Sequence, residues 1–547
     1  MEDKEFNLLT EPWIKVLDTD LTVREVSLID VLVHAHEYKS LAGEMPTQDI
    51  AILRLLLACM QTIFYRFDEE GELYEILGNG NDEGMDEDDV LNRWEAYWKQ
   101  GRFSEEAIRK YFADYEERFW LFHPETPFYQ VAGLKYGTDY GSSSLYGNVK
   151  SSNNKATRYH FSMAEGEDIQ SMAYSEAARW LLHLNAFCVN VKNKKEAPGT
   201  TNAAGVGRLG RLGLLYVDGK NLFEIIMLNL TPLRNQGGLW GKPQPIWEQP
   251  VHTLQSIEIA PPDNLPELYT LQSRRILLKR ENGRVTGFRA MNGDYYPFED
   301  DFNEQMTLWK KNENKKTHKI IYLPLKHSSE IQAWREFPSI FNIGEQSHIP
   351  GVVQWANILC NQDLALQDTM VTFKTCGIVY GDGMSYTYGD CLSDGLTLSA
   401  ELLKEFSKSW QTLITDEIEM CGQVVDRAIK PFTRDIEMIL NQEKLSSNLS
   451  KQLVEEYYAR IDHPFRSWLA SIHPDEDSKE DRINEWEKIS YYCAQNVVRD
   501  YIDTLKDEIY LFHDTGKKIL SIPDAFNVYL WRIQDIYKKV MSDDRKE

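Results

Sequence analysis

Residues 190–213 read NVKNKKEAPGTTNAAGVGRLGRLG, and they set Lys192, Lys194 and Lys195 before a run of small residues, with Arg208 and Arg211 after it. Two chemistries fit that pattern. Residues 205–210, GVGRLG, spell the glycine fingerprint that lets a backbone approach a dinucleotide pyrophosphate. That chemistry needs a buried strand before the glycines, a helix after them, and an acid about 20 residues further on. Here a helical pattern precedes and a strand-like LGLLYV follows, so the context opposes it. The second chemistry is nucleic-acid contact. Small residues let the backbone enter a groove, and flanking cations attract phosphates without reading sequence. The candidates are Lys192, Lys194, Lys195, Gly199, Thr200, Thr201, Asn202, Ala203, Arg208 and Arg211. A solvated hinge has the same composition. A nucleotide-binding enzyme using residues 205–210 and a scaffold without nucleic-acid contact therefore stay open as alternatives.

Other constellations are scarce. The chain has no HExxH, no GxxxxGK[ST] and no GxSxG, and its seven cysteines form no CxxC pair. His34 and His36 stand two apart on an apparent helix and point to different faces, a poor ligand pair. No metal, cofactor or catalytic residue is expected, and the reading is not an enzyme. The formal net charge of −25 argues against a surface that coats nucleic acid indiscriminately, but it leaves room for a local basic groove. Much of that charge sits in residues 67–89, FDEEGELYEILGNGNDEGMDEDD, read as a solvated loop or insertion. The start MEDKEF has no apolar core, and the best apolar run, IAILRLLLACMQTIF, is interrupted by Arg54. A cytoplasmic protein without membrane contact is expected.

The elements that must hold the cationic segment can be read in outline. At 547 residues the chain exceeds what one core usually serves. An apolar helix falls near residues 50–64, and SEAARWLLHLNAFCV reads as a helix capped by Ser175. NLFEIIML opens a helix with Asn221 and Glu224 spaced as a capping box. Two strand-like runs around Asn282-Gly283 read as a hairpin over 273–296. Beyond residue 396 only helical stripes remain: Leu402, Phe406, Trp410 and Leu413, then a helix near 449–461, then Trp486 to Val497, then Phe526 to Val540. The expectation is an α+β protein, with a large mixed globular N-terminal domain over 1–395 and an all-α C-terminal four-helix bundle over 396–547.

The opening FNLLTEPWIKV, the segment FWLFHPETPFYQV, the Ala197-Pro198-Gly199 loop followed by a strand and LFEIIMLNL, and the terminal bundle occur in order over nearly the whole chain. Together they resemble the large subunit, CasA, of the type I-E CRISPR Cascade surveillance complex. The resemblance implies recognition of a short protospacer-adjacent motif (PAM) on duplex DNA and the start of strand separation for a guide RNA. It also implies docking of an effector helicase-nuclease, beside other Cascade subunits as partners. The family's glycine loop falls on Gly199 to Ala203, with fewer glycines here. Its strand-separating wedge falls on Gly383, Met384 and Ser385, where Met384 stands in place of a glutamine and an ordinary hairpin turn is the alternative. Arg284 and Arg289 are candidates for a PAM-reading cation. A guide-RNA or neighbour-subunit loop falls on residues 140–160, with Lys150, Lys155 and Arg158 among Tyr146, Tyr159 and Phe161.

Overall fold

The computed structural model describes residues 4–78, 84–145, 170–188, 205–235, 237–251, 258–313, 315, 317–343, 348–380, 388–441, 445–514, 516 and 519–537. The chain forms two compact units. One comprises Met1–Ser329, Glu345–Ile358 and Thr372–Gly395; the other comprises Glu330–Gly344, Leu359–Val371 and Leu396–Glu547. The second unit thus takes two segments from ahead of residue 396.

The first unit is mixed helix and sheet. Its central helix, Pro46–Arg66, starts with Pro at its first position, where no N–H is needed, and buries nearly every side chain. By length and hydropathy it is long enough to cross a membrane, yet 94% of its most apolar window lies inside the protein. It is therefore a core helix, four residues longer at its start than the apolar run implies. Arg54, which interrupts that run, is 2% exposed. Its guanidinium donates to both Glu304 carboxylate oxygens at 2.6 and 2.9 Å and lies 4.2 Å from the Tyr269 ring centroid. Burial opposes ionisation of Glu304, but Arg54 outweighs it and holds that carboxyl below its ordinary range.

The chain also forms small antiparallel sheets. Val23–Val26, Ile14–Asp18 and Tyr38–Leu41 form one, in that order. Thr138–Gly141, Arg284–Asn292 and Arg274–Glu281 form another. Tyr388–Ser399, Met370–Tyr380 and Leu214–Val217 form a third. The expected hairpin is present: Asn282 and Gly283 both take positive φ, 50° and 73°, as a tight two-residue turn between right-twisted strands requires.

Local details correct the sequence reading in three places. The helix Tyr174–Phe187 starts after Ala173, with no side-chain cap, and Ser175 lies inside it. At the helix Leu222–Asn229 the Asn221 side chain accepts from the Glu224 N–H, but Glu224 accepts from the Lys220 N–H, so the box is not reciprocal. The end of the acidic run is a helix start. Asp86 and Asp89 form a capping box on Glu87–Gln100, placing carboxylates at the positive end of the helix dipole.

The second unit carries the helices Lys408–Val424, Lys430–Leu440, Leu445–Ala470, Lys479–Thr504 and Ile522–Ile536. The first two are continuous through a π turn, Val425–Ile429. Pro431 follows it, has no N–H for the carbonyl of residue 427, and would press its ring on that carbonyl in regular α geometry; the wider turn relieves both. Counted as one, that helix makes four. Ser490 joins them: its hydroxyl meets Tyr537 Oη at 2.6 Å, Tyr457 Oη at 3.2 Å and Cys421 Sγ at 4.0 Å. Three neighbouring groups thus share one buried hydroxyl, the arrangement that makes a buried polar atom tolerable.

Candidate nucleic-acid interface

Residues 189–204 lie outside the described residues, and with them Lys192, Lys194, Lys195, Gly199, Thr200, Thr201, Asn202 and Ala203. Lys150, Lys155 and Arg158 lie outside them too, as do Gly383, Met384 and Ser385. The described residues show how each of these segments is rooted.

The root of the cationic segment is closed by backbone. The helix Tyr174–Phe187 ends at Cys188, whose carbonyl accepts from the Gly207 N–H at 2.8 Å. A Cβ on Gly207 would sit 2.4 Å from the Ala186 carbonyl oxygen, so only glycine permits that approach. Gly205 has φ +128°, and a Cβ there would strike the Arg211 guanidinium. The glycines of GVGRLG therefore serve close packing. A helix precedes them, the short 3-10 turn Arg208–Arg211 follows, and the next element is the strand Leu214–Val217. This is not the strand–glycine–helix order of a dinucleotide cradle.

Arg274 clasps both ends of the segment. Its buried guanidinium donates to the carbonyls of Gly205 at 2.7 Å, of Ser273 at 2.8 Å and, more weakly, of Cys188 at 3.4 Å. Nothing in the sequence marks this residue except its place at the start of a strand.

Arg208, read from sequence as a surface cation, is 7% exposed. Its guanidinium donates to Asp301 and to Tyr296 Oη, and it lies over the Tyr296 and Phe298 rings at 3.9 and 4.6 Å. A charge neutralised and stacked in this way anchors the turn. Arg211 is half-buried and lies 5.4 Å from the Phe298 centroid. Beside it stand two lysines that the sequence reading did not select. Burial, then Arg211 and Lys310, pushes the Lys326 ammonium below its ordinary value, so Lys326 senses both of the other cations. Lys326 Nζ also lies 5.9 Å from the Tyr380 ring centroid.

Tyr380 connects two of the segments. It is the last described residue before 381–387, and its hydroxyl donates to the Phe187 carbonyl at 2.8 Å, at the end of the helix that leads into 189–204. The segments 189–204 and 381–387, to which the resemblance assigns recognition and the wedge, are thus rooted side by side. The third is rooted elsewhere. Arg284 donates to Ser171 Oγ at 2.8 Å and to its carbonyl at 3.1 Å, and Met172 and Val285 exchange backbone hydrogen bonds at 2.9 Å. Arg274 and Arg284 stand at opposite ends of one hairpin, roughly 23 Å apart at the rise of a strand. Arg289, the other candidate on that hairpin, is bidentate to Asp139 at 2.8 and 2.8 Å and donates to the Leu134 carbonyl at 3.1 Å. That engagement fits a structural strut better than a base-reading cation. Among the described residues, no group of three or more His, Cys, Asp or Glu is placed to hold a metal ion. His34 ends the short helix Leu28–Val33 as its cap, and His36 lies beyond it.

Known proteins share this architecture. A solved structure of Cse1 from Thermobifida fusca superposes with a TM-score of 0.80 at 23% identity, covering 98% of each chain. A chain of a CRISPR RNA-guided surveillance complex superposes with a TM-score of 0.65 at 17% identity, over 96% of this chain and 99% of that one. In sequence, the CasA/Cse1 protein of Thermus thermophilus is 29% identical over 341 residues, which are 62% of this chain and 60% of that relative. The match thus spans less than two thirds of the relative's length. Residues 7–515 fit the family described as CRISPR-associated protein Cse1, and the chain belongs to that family.

Proposed function

We propose that this chain is the DNA-recognition subunit of a type I-E CRISPR RNA-guided surveillance complex, assembled with other Cascade subunits and a guide RNA. In this reading the segment 189–204 enters the minor groove beside the PAM of duplex DNA. Lys192, Lys194 and Lys195 contact phosphates, and Gly199, Thr200, Thr201, Asn202 and Ala203 approach the base edges, whose degenerate minor-groove pattern suits a reader of several PAMs. Gly383, Met384 and Ser385 then hold open the first base pair, and Lys150, Lys155 and Arg158 meet guide RNA or a neighbouring subunit. An effector helicase-nuclease docks on the assembly and performs the cutting.

One observation supports the reading: a hydrogen bond of 2.8 Å joins Tyr380, at the root of 381–387, to Phe187, at the root of 189–204, with the Lys326 ammonium near the Tyr380 ring. A reader and a wedge must act on adjacent base pairs, so a common root is what the mechanism needs. The test is target-duplex binding by the assembled complex across a salt series. Replacing Lys192, Lys194 and Lys195 by Ala lowers affinity for every PAM alike and reduces the salt slope by up to about three, since each phosphate contact contributes nearly one. Unchanged affinity with an unchanged slope overturns the reading and favours a scaffold without DNA contact.

A further inference from the structure

We propose that a cavity in the first unit, between the start of the helix Pro46–Arg66 and the strands Leu214–Val217 and Met370–Tyr380, binds an alkylammonium group, a cationic head on an aliphatic stem. The cavity measures about 290 Å³, near the lower end of the range for small-ligand pockets. Ile50, Leu53, Leu222 and Ile225 supply an apolar wall, and Asp49, Asp218, Lys374 and Asp394 supply its charged groups.

Among the described lining residues Lys374 is the one cation, and its Nζ pairs with Asp218 at 2.9 Å, away from Asp49. Asp394 accepts from the Gly395 N–H at 2.7 Å. Asp49 takes a hydrogen bond from the Gly43 N–H at 2.7 Å and, among the described residues, makes no ion pair. A recessed carboxylate without a counter-ion is costly, and burial accordingly pushes Asp49 up to about 7. The groups facing it relieve this only in part. Glu44 adds negative charge, while Lys15 and Arg179 are bound to Glu44 at 2.9 and 2.6 Å. On the strand side stand Tyr216, Cys376 and Cys391, whose acidity burial weakens first and Asp49 further, and beyond them the Asp218–Lys374 pair.

This lining selects a ligand class. An anion meets an excess of carboxylates. A bare metal ion finds no cluster of three ligands among the described residues. A neutral apolar molecule leaves Asp49 as it is. An alkylammonium lays its stem on Ile50, Leu53, Leu222 and Ile225 and gives Asp49 a cationic hydrogen-bond partner. Such a group arrives either on a free polyamine or on the lysine of a partner protein.

The experiment titrates the full chain with n-butylammonium chloride at constant ionic strength, followed by calorimetry, with n-butanol as the uncharged control. The expected result is saturable one-to-one binding of the ammonium and none of the alcohol. Because a proton on Asp49 competes with the ligand, affinity should fall about tenfold from pH 8 to pH 6, with proton release on binding. Asp49→Asn should weaken binding at pH 8 by at least about tenfold, whereas Asp88→Asn, at an exposed acid elsewhere, should not. Should Asp49→Asn fold poorly, Ile225→Phe fills the apolar wall and should abolish binding, and the pH dependence of the native chain stands without any variant. Equal responses to ammonium and alcohol, no saturation, or a pH-independent affinity overturns the proposal. Spermidine against Nα-acetyl-lysine methylamide then separates the sources: stronger binding of the first assigns a polyamine, stronger binding of the second a partner's lysine, and equal binding supports the shared chemistry.

Discussion

Replacing Arg274 by Met should loosen the root of the cationic segment while leaving the hairpin folded. The side chain is buried and donates to three carbonyl oxygens, beside the Cys188 thiol. The one to Ser273 joins neighbours in sequence and adds little closure, and the one to Cys188, at 3.4 Å, is weak. The loss specific to the root is therefore the 2.7 Å bond to Gly205. A hydrogen bond from a charged donor contributes about 1.5–3 kcal/mol, which is roughly a ten- to 150-fold rise in local opening. Hydrogen exchange reads this directly. The Gly207 amide, bonded to the Cys188 carbonyl, closes the root, and the Leu278 amide, bonded to Gln130 Oε1, reports the hairpin. Exchange at Gly207 should accelerate by that factor with Leu278 unchanged, and Arg274→Lys should restore part of the protection, since an ammonium reaches one carbonyl where the guanidinium spans several. A Gly207 rate that stays fixed, or that rises only in step with Leu278, refutes the clasp.

Two further outcomes follow from the buried charges. Arg54→Met or Glu304→Gln alone should cost about 3–5 kcal/mol in urea unfolding, because each strands a buried partner, whereas the double variant should cost less than the sum; strict additivity would remove the pair's coupling. On acidification, stability should fall in two stages, the upper one offset in part by Asp49, which burial pushes up to about 7 so that the folded chain takes its proton more readily between pH 7 and 3.8. Burial lowers His183 from 6.5 to about 3, so its contribution is present above pH 6.5 and is lost progressively below it. Burial pushes Glu44 up, but Arg179 and Lys15 outweigh it and hold it at about 2, so its contribution is present above pH 4.5 and is lost between 4.5 and 2. His183→Gln should flatten the upper stage of a melting-temperature profile and Glu44→Gln the lower; a profile unchanged by both would sink the assignment.

What the sequence revealed was local. The Asn282-Gly283 turn was legible because only residues tolerant of positive φ fit it, and the C-terminal stripes were legible because helix periodicity is carried by neighbours three and four apart. What it hid depended on distance along the chain. Arg208 looks like a surface cation until Asp301, 93 residues later, closes on it. Arg54 looks like a flaw in an apolar run until Glu304 supplies its partner. Arg274 carries no local mark at all, since the two acceptors that make it a clasp are the carbonyls of residues 69 and 86 positions earlier. Ser175 was a reasonable cap by type, but the chain enters that helix one turn's fraction sooner, at Tyr174, and caps nothing with its side chain. The two lysines beside Arg211 were missed for the same reason as Arg208: a cluster built from three separate strands and turns leaves no cluster in the sequence.

The π turn at Val425–Ile429 bears on how chain length can vary. A π turn amounts to an α-helix with one residue inserted. Upstream the buried positions include Leu413, Cys421 and Val424, and downstream Phe432, Ile436 and Ile439. Elsewhere in this helix, losing a residue swings everything beyond it by about 100° and turns the buried face outward. Within the bulge, losing one residue together with Pro431→Ala returns a regular helix with both faces where they were. The segment is thus an indel-tolerant joint, at which related chains can differ by one residue and still build the same bundle, and where an alignment gap marks a change in helix pitch with no change in fold.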